Sequence, residues 1–156
     1  MITESDISLA VAADAVAIGA LSRRTIEQGL EWRWTPQRVL SAMAEGDTNV
    51  VVARRGTDML GFAVMHYGDE EAHVQLLATQ PRCRRQGVGS ALLRWLEDTA
   101  RVAGIRTIKL ETRSGNAGAR NFYHHHGFVE FDRRSGYYQG VEDAVRYLKQ
   151  LGLPSA

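Results

Sequence analysis

The sequence predicts a single α/β domain: a β-sheet whose early strands form an antiparallel meander, flanked by helices. Three observations lead there. The β-rich runs NVVVAR, LGFAVMHY and AHVQLLAT are separated only by RGTD and GDEE, which have turn compositions. From Val88 onward the apolar residues recur at helical spacing. Finally, 156 residues with 44% hydrophobic and 24% charged content can bury one core without metals or disulfides, and no stretch is biased towards disorder. One domain over residues 1–156 is therefore expected, with no internal repeat and no linker.

The elements follow in order. A strand is expected over Ile7 to Ala12, then a helix from about Asp14 with Asp14 as its cap. Thr35 and Pro36 read as the cap and first position of a second helix ending near Gly46, because proline lacks the N–H that would go unpaired there. After the meander comes the amphipathic helix. Its apolar positions are Val88, Ala91, Leu92, Trp95, Leu96 and Ala103, interleaved with Arg94, Glu97, Asp98 and Arg101, and Gly104 closes it. TIKLET is a strand, NAGARNFYHHH a short helix ending at Gly127, and FVEF another strand. Periodicity leaves Asp143 to Leu151 open between strand and helix.

Charge and composition exclude several classes. A net charge of +1 argues against general nucleic-acid binding, which uses a basic excess spread over a face. Cys83 is the only cysteine, so neither a disulfide framework nor a cysteine-based zinc site is expected, and a reducing cytoplasm fits. ISLAVAADAVAIGAL contains Asp14, lacks a basic flank and is too short to span a bilayer. No membrane association is expected, and the location is read as cytoplasmic.

The stretch from Arg82 to Glu97, RCRRQGVGSALLRWLE, joins a strand, a basic glycine loop and a helix start. First-turn N–H groups have no partner inside the helix, glycines admit a ligand close to the backbone, and the helix dipole favours negative charge. Arg82, Arg84 and Arg85 add charge to such an anion site; the plainer alternative is a solvated loop capping a core helix. A P-loop is excluded because no Gly-Lys-Ser/Thr follows. A dinucleotide fingerprint has a strand before it and Glu111 near the position of a ribose-binding acid. It ranks lower because Leu92 occupies the third glycine position and residues Gln80 to Gln86 separate strand from glycine.

Arg84 to Gly89 resembles the R/Q-x-x-G-x-G/A acyl-CoA loop of the GNAT superfamily of N-acetyltransferases. Asn116 to Phe128, which reads N-x-x-A-x-x-F-Y-x-x-x-G-F, resembles a later motif of the same family. The resemblance covers nearly the whole chain. It implies the GNAT fold, a mixed central sheet with the antiparallel meander followed by a parallel pair at the CoA site. It also implies acetyl-CoA as cosubstrate, with no metal, and an amine acceptor. Arg84, Arg85, Gln86, Gly87, Val88, Gly89 and Ser90 would surround the CoA pyrophosphate, while Leu77 and Thr79 would offer backbone groups to the pantetheine arm. Asn116 would contact that arm, serve as a helix cap, or both. Members of the family often pair, so the resemblance also allows a homodimer.

Acyl transfer needs a neutral amine, an oxyanion site and a proton for the leaving thiolate. Tyr123, facing the thioester by resemblance, suits the last task because a phenol with an ordinary pKa of about 10 stays protonated at neutral pH. The alternative for Tyr123 is a packed helix residue. Glu111 is the candidate base: LETRSGN resembles the corresponding stretch of bacterial enzymes that acetylate the N-terminal alanine of a ribosomal protein. Strand alternation offers a second reading, with Glu111 facing solvent or pairing near Arg113. SGYYQGVEDAV continues that resemblance, so Tyr137 and Tyr138 would line the acceptor pocket with Glu31, Trp32 and Trp34. The acceptor expected is a peptide N-terminus. A small amine, or a sensor that binds acyl-CoA without turnover, are the alternatives. His124, His125 and His126 point in different directions on one helix and are not read as metal ligands. Cys83 has no His or Asp pattern around it to make it a nucleophile, and direct transfer needs none.

Overall fold

The three β-rich runs do fold as an antiparallel meander, and it forms the first half of one mixed sheet. The computed structural model describes residues 2–152. Its strands are β1 (Ile7–Leu9), β2 (Thr48–Arg55), β3 (Asp58–Tyr67), β4 (Glu71–Thr79), β5 (Thr107–Arg113), β6 (Val129–Tyr138) and β7 (Glu142–Gln150). The helices are α1 (Ala15–Thr25), α2 (Pro36–Ala44), α3 (Val88–Val102) and α4 (Ala117–His125). The strand order is β1-β2-β3-β4-β5-β7-β6, and only β4 and β5 run parallel. That parallel step follows from α3, whose crossover returns the chain to the same end of the sheet.

A core lies on each face of the sheet. On one side α3 and α4 pack Val88, Leu92, Leu96 and Tyr123 against Ala63, Met65, Ile108, Leu110 and Val145. On the other, Ile18 and Leu21 of α1 and Val39 of α2 cover Val52, Phe62 and Val64. Each such large side chain removed from water contributes about 1.5–3 kcal/mol. Within α3 the buried stripe is wider than the spacing predicted: Leu93 and Ala100 are fully buried, while Ala103 is exposed.

Several boundaries differ from the sequence reading for identifiable reasons. β1 stops at Leu9 rather than reaching Ala12, because Ala12–Asp14 forms a 3-10 turn. Asp14 does not cap α1 with its side chain; its buried carboxylate accepts from Val11 N at 2.8 Å and pairs with Arg54 of β2 at 2.8 Å. Thr35 does cap α2, accepting from Arg38 N, with Pro36 in the first turn. The ambiguous segment after Asp143 is a strand, since its slot between β5 and β6 buries Ala144, Val145 and Tyr147 and satisfies the backbone on both sides. Of FVEF, Phe128 precedes the strand and Val129 to Phe131 are only the start of β6, which runs on to Tyr138 through an irregular pairing between Arg134 and Tyr138.

One irregularity positions everything that follows. Val64 pairs with Leu76 but Met65 with Val74, so Gln75 is an extra residue on β4, a β-bulge. Side chains two apart normally share a face. Here Ala72 and Val74 join the α3-side core, whereas Leu76 and Ala78 join the α1-side core. The bulge turns the strand over halfway along.

Candidate active site

β4 and β5 pair only from Glu71 with Thr107 to Val74 with Leu110. The bulge comes next, the strands part, and the β4 backbone from Leu76 to Thr79 has no strand partner on its β5 side. The gap widens into a cleft of about 860 Å³ whose walls include Leu77, Thr79, Glu111 and Tyr123. A parallel pair that ends early thus leaves main-chain donors and acceptors facing an open space.

The glycine loop forms one end of this cleft. After a 3-10 turn at Pro81–Cys83 the chain takes left-handed conformations at Arg85 (φ 65°) and Gly87 (φ 81°), and α3 starts at Val88. Its first-turn N–H groups, at Val88, Gly89 and Ser90, lie beyond the reach of the helix's own carbonyls and line the cleft with Arg84, Arg85 and Gly87. Gly89 leaves room there: a Cβ would stand 3.3 Å from the Phe122 ring and 3.7 Å from the Thr79 methyl. Gln86 does not line the cleft; its side chain donates to Arg82 O at 3.3 Å, closing the loop on itself. Arg82 turns away to Asp58 at 2.7 Å. The Ser90 hydroxyl is engaged by His126 Nε2 at 2.9 Å, leaving the Ser90 N–H for any ligand. This contact ties the start of α3 to the end of α4.

α4 brings Tyr123 and Asn116 to the same cleft. Asn116 is a helix cap, its Oδ1 accepting from Ala119 N at 3.1 Å, and it also lines the cleft. The Tyr123 ring packs edge-on against Phe122 and Phe128 at 5.1 and 5.5 Å. Among the described residues nothing hydrogen-bonds its hydroxyl. Burial raises the phenol pKa well above its usual value, so it stays protonated. A protonated phenol without a protein partner can donate to a ligand atom.

Glu111 belongs to the other sheet face. Its side chain is 7% exposed and neither points to solvent nor pairs with Arg113. It accepts from Tyr137 Oη at 3.3 Å and Arg146 Nε at 3.4 Å, and meets His73 Nε2 at 2.6 Å. Burial pushes its pKa up, but the bond and charge of His73 together with Arg146 outweigh this and hold it below the usual glutamate value. It is therefore ionised at neutral pH. His73 and Arg146 were not singled out in the sequence; the available signal was a histidine within the mostly apolar strand AHVQLLAT.

The remaining wall comes from the α1–α2 loop and the β6–β7 turn. Trp34, Tyr137 and Tyr138 line the cleft, with Arg38 stacked on Trp34 at 4.3 Å. Glu31 and Trp32 do not line it. Trp32 donates from Nε1 to Gly19 O at 3.1 Å, and Arg23 covers its ring at 5.0 Å. Glu31 is held through its backbone by the β6–β7 turn. Leu30 and Arg33 stand at the cleft in their place. The loop is shaped by buried Glu27, which accepts from Arg33 N at 2.7 Å, Trp34 N at 3.2 Å and Ser22 Oγ at 2.8 Å. Arg113 clamps it from below, reaching Gln28 O at 2.6 Å and Ile26 O at 3.2 Å while pairing with Glu142 at 2.8 Å. No spacing rule announces either clamp.

The three consecutive histidines gather no common ligand set, as their helical directions require. Among the described residues, Glu45, Asp47 and His66 form the only group of three or more with metal-type ligand atoms close together, and none of them lines the cleft. No helix among the described residues is long and apolar enough to cross a membrane.

Known proteins share this construction. The profile of the family described as acetyltransferase (GNAT) family matches residues 19–128. The [ribosomal protein bS18]-alanine N-acetyltransferase of Escherichia coli strain K12 is 35% identical over 115 residues, spanning 72% of this chain and 77% of that one. The crystal structure of the ribosomal-protein-S18-alanine N-acetyltransferase from Escherichia coli superposes with a TM-score of 0.81 at 28% identity, covering 96% of this chain and 95% of that one. Ard1 from Thermoplasma volcanium gives a TM-score of 0.82 at 25% identity, covering 94% and 97%. With the glycine loop, the parted β4 and β5 and the Asn116-to-Phe128 helix all inside the matched region, this chain belongs to the GNAT family of acetyltransferases.

Proposed function

We propose that the protein transfers an acetyl group from acetyl-CoA to the amino terminus of a peptide or protein by direct attack of the amine on the thioester. The observation that carries this reading is that one cleft holds three things in series: unpaired helix N–H groups at Val88 to Ser90, an unpartnered phenol at Tyr123 and an ionised carboxylate at Glu111. The first suits a diphosphate. The open β4 edge between them suits an extended pantetheine arm, through the backbone of Leu77 and Thr79.

In this mechanism Glu111 takes a proton from the amine, whose lone pair then attacks the thioester carbonyl carbon. An N–H from the free edge of β4 stabilises the oxyanion. As the C–S bond breaks, Tyr123 gives its proton to sulfur and recovers one from the second proton that the acylated nitrogen sheds, so that a proton of the amine ends, in net terms, on the thiol. Arg84 and Arg85, which line the cleft, add positive charge beside the phosphates. Tyr137, Tyr138 and Trp34 flank the acceptor, and a peptide terminus suits a wall built from two clamped loops better than an open surface would. The alanine specificity in the name of the Escherichia coli relative makes an alanine-initiated peptide the first acceptor to try. A cytoplasmic setting accords with the single, buried Cys83 thiol.

The test is release of free CoA with alanine-initiated peptides, their Nα-blocked forms carrying a free lysine, and a panel of small primary amines. Turnover confined to free amino termini is expected. Turnover confined to small amines would replace the acceptor, and CoA binding without turnover on any amine would make the protein a sensor.

A further inference from the structure

Glu111 stands in the wall between two cavities. Beyond it, on the same face of the sheet, lies a second hollow of about 380 Å³, and His73, Glu111 and Tyr137 line both spaces. Acetylation of an amine that arrives as an ammonium ion liberates a proton. Of its three N–H protons one stays on the amide, one ends on the thiol, and one must reach bulk water. Glu111 is poorly placed to release it, with a side chain only 7% exposed and a cleft filled by two substrates. His73 is better placed, with a side chain 37% exposed and Nε2 at 2.6 Å from Glu111 Oε1.

The other partners of Glu111 cannot carry a proton onward. Arg146 keeps its protons at all physiological pH. Tyr137 holds its own more tightly than usual, because of burial and then the charge of Glu111. Among these partners only the imidazole has a second ring nitrogen, so it can take a proton on one side and give one up on the other. The charges around His73 leave Glu111 as its carboxylate at bond distance. On β5, Lys109 pairs with Glu71 at 3.1 Å; on β6, Arg134 pairs with Asp132 at 3.2 Å; on β7, Arg146 divides between Glu111 and Asp132. Across on β3, His66 is turned to Thr48 and Asp47.

Resting on the transferase reading above, we infer that His73 is the proton outlet of the site, moving the proton collected by Glu111 into the second hollow. The ammonium N–H bond breaks with its electron pair left on nitrogen, and an O–H bond forms on Glu111. The proton then crosses to His73 Nε2, restoring the carboxylate, and the imidazolium gives a proton to water on its other side. No oxidant, metal or further reactant is involved.

The experiment compares the parent with His73→Ala, His73→Gln and Glu111→Gln on alanine-initiated peptides and small amines, across pH and with added imidazole. Gln can still donate to Glu111 but cannot pass a proton on. Both His73 variants should lose about tenfold or more in kcat, within the range a positioned proton carrier supplies, with CoA affinity unchanged. Millimolar imidazole should restore most of the His73→Ala rate by occupying the hollow. His73→Gln at the parent rate, or a His73→Ala loss that imidazole leaves untouched, would overturn the outlet and leave a positioning contact. Glu111→Gln at the parent rate would overturn it by removing its first link. A parent that turns over no amine would overturn it together with the transferase reading.

Discussion

Gln139 grips the peptide unit of Glu31 from both sides: its Oε1 accepts from the Glu31 N–H at 2.7 Å and its Nε2 donates to the Glu31 carbonyl at 3.0 Å. The turn residue reaching across 108 positions of sequence has a left-handed backbone, φ 57°. Through it the β6–β7 turn and the α1–α2 loop become one wall of the cleft.

Gln139→Ala should therefore loosen that wall without touching the CoA end. Two exposed hydrogen bonds contribute roughly 1–2 kcal/mol together, so KM for a peptide acceptor should rise about 5–30-fold. Calorimetric affinity for CoA should stay at the parent value; a parallel loss of both would mean that the turn supports the whole cleft.

Gly87 and Gly89 should respond differently to alanine. At Gly87 the left-handed backbone (φ 81°) opposes a side chain, and Gly87→Ala should cost about 1–2 kcal/mol of stability by denaturant unfolding. Gly89 has ordinary helical geometry, so Gly89→Ala should stay near parent stability but crowd Phe122 and the ligand side of the loop. A fall in CoA affinity of about tenfold or more is expected, the effect of losing direct approach to helix N–H groups.

Removing one oxygen from Tyr123 should separate chemistry from folding. Its hydroxyl has no protein partner among the described residues, so Tyr123→Phe should leave Tm and CoA affinity essentially unchanged. The kcat should fall about 10²–10⁴-fold if the phenol is the acid. Undiminished kcat would remove it from the reaction.

Glu111 yields a prediction from pH alone. Its folded pKa lies below the usual glutamate value, so its contribution to stability is fully present above the unfolded value of about 4.3 and is lost as pH falls through the folded value. The Tm gap between parent and Glu111→Gln should be widest near neutrality and close in acid. Activity should show the complementary pattern: the variant's deficit should grow below the amine pKa, where a base is needed to free the lone pair.

The sequence by itself determined the parts of this protein whose signals are local. Turn compositions between β-rich runs fixed the meander, an apolar stripe fixed α3, and Thr35, Asn116 and the positive-φ glycines marked where helices start and stop. The two motifs of the family resemblance singled out the loop from Arg84 to Ser90 and the helix bearing Tyr123, and Tyr123 lines one cleft together with all of that loop except Gln86. These features depend on neighbours a few residues apart, and hydrogen-bond and packing rules at that range are legible in a string of letters.

What the tertiary structure decided were relations between distant strands. The bulge at Gln75, which parts β4 from β5, depends on register against β3 and leaves no compositional mark. The strand state of Glu142–Gln150 was decided by an unfilled slot between β5 and β6. Glu31 and Trp32, acidic and aromatic in the expected loop, were drawn into holding the scaffold, while Glu27, Arg113 and Gln139 tied that loop down. His73 met Glu111 only because a parallel pairing brought two side chains 38 positions apart onto one face. Buried polar groups must find partners wherever the fold supplies them, and which ones it supplies is set by packing rather than by spacing.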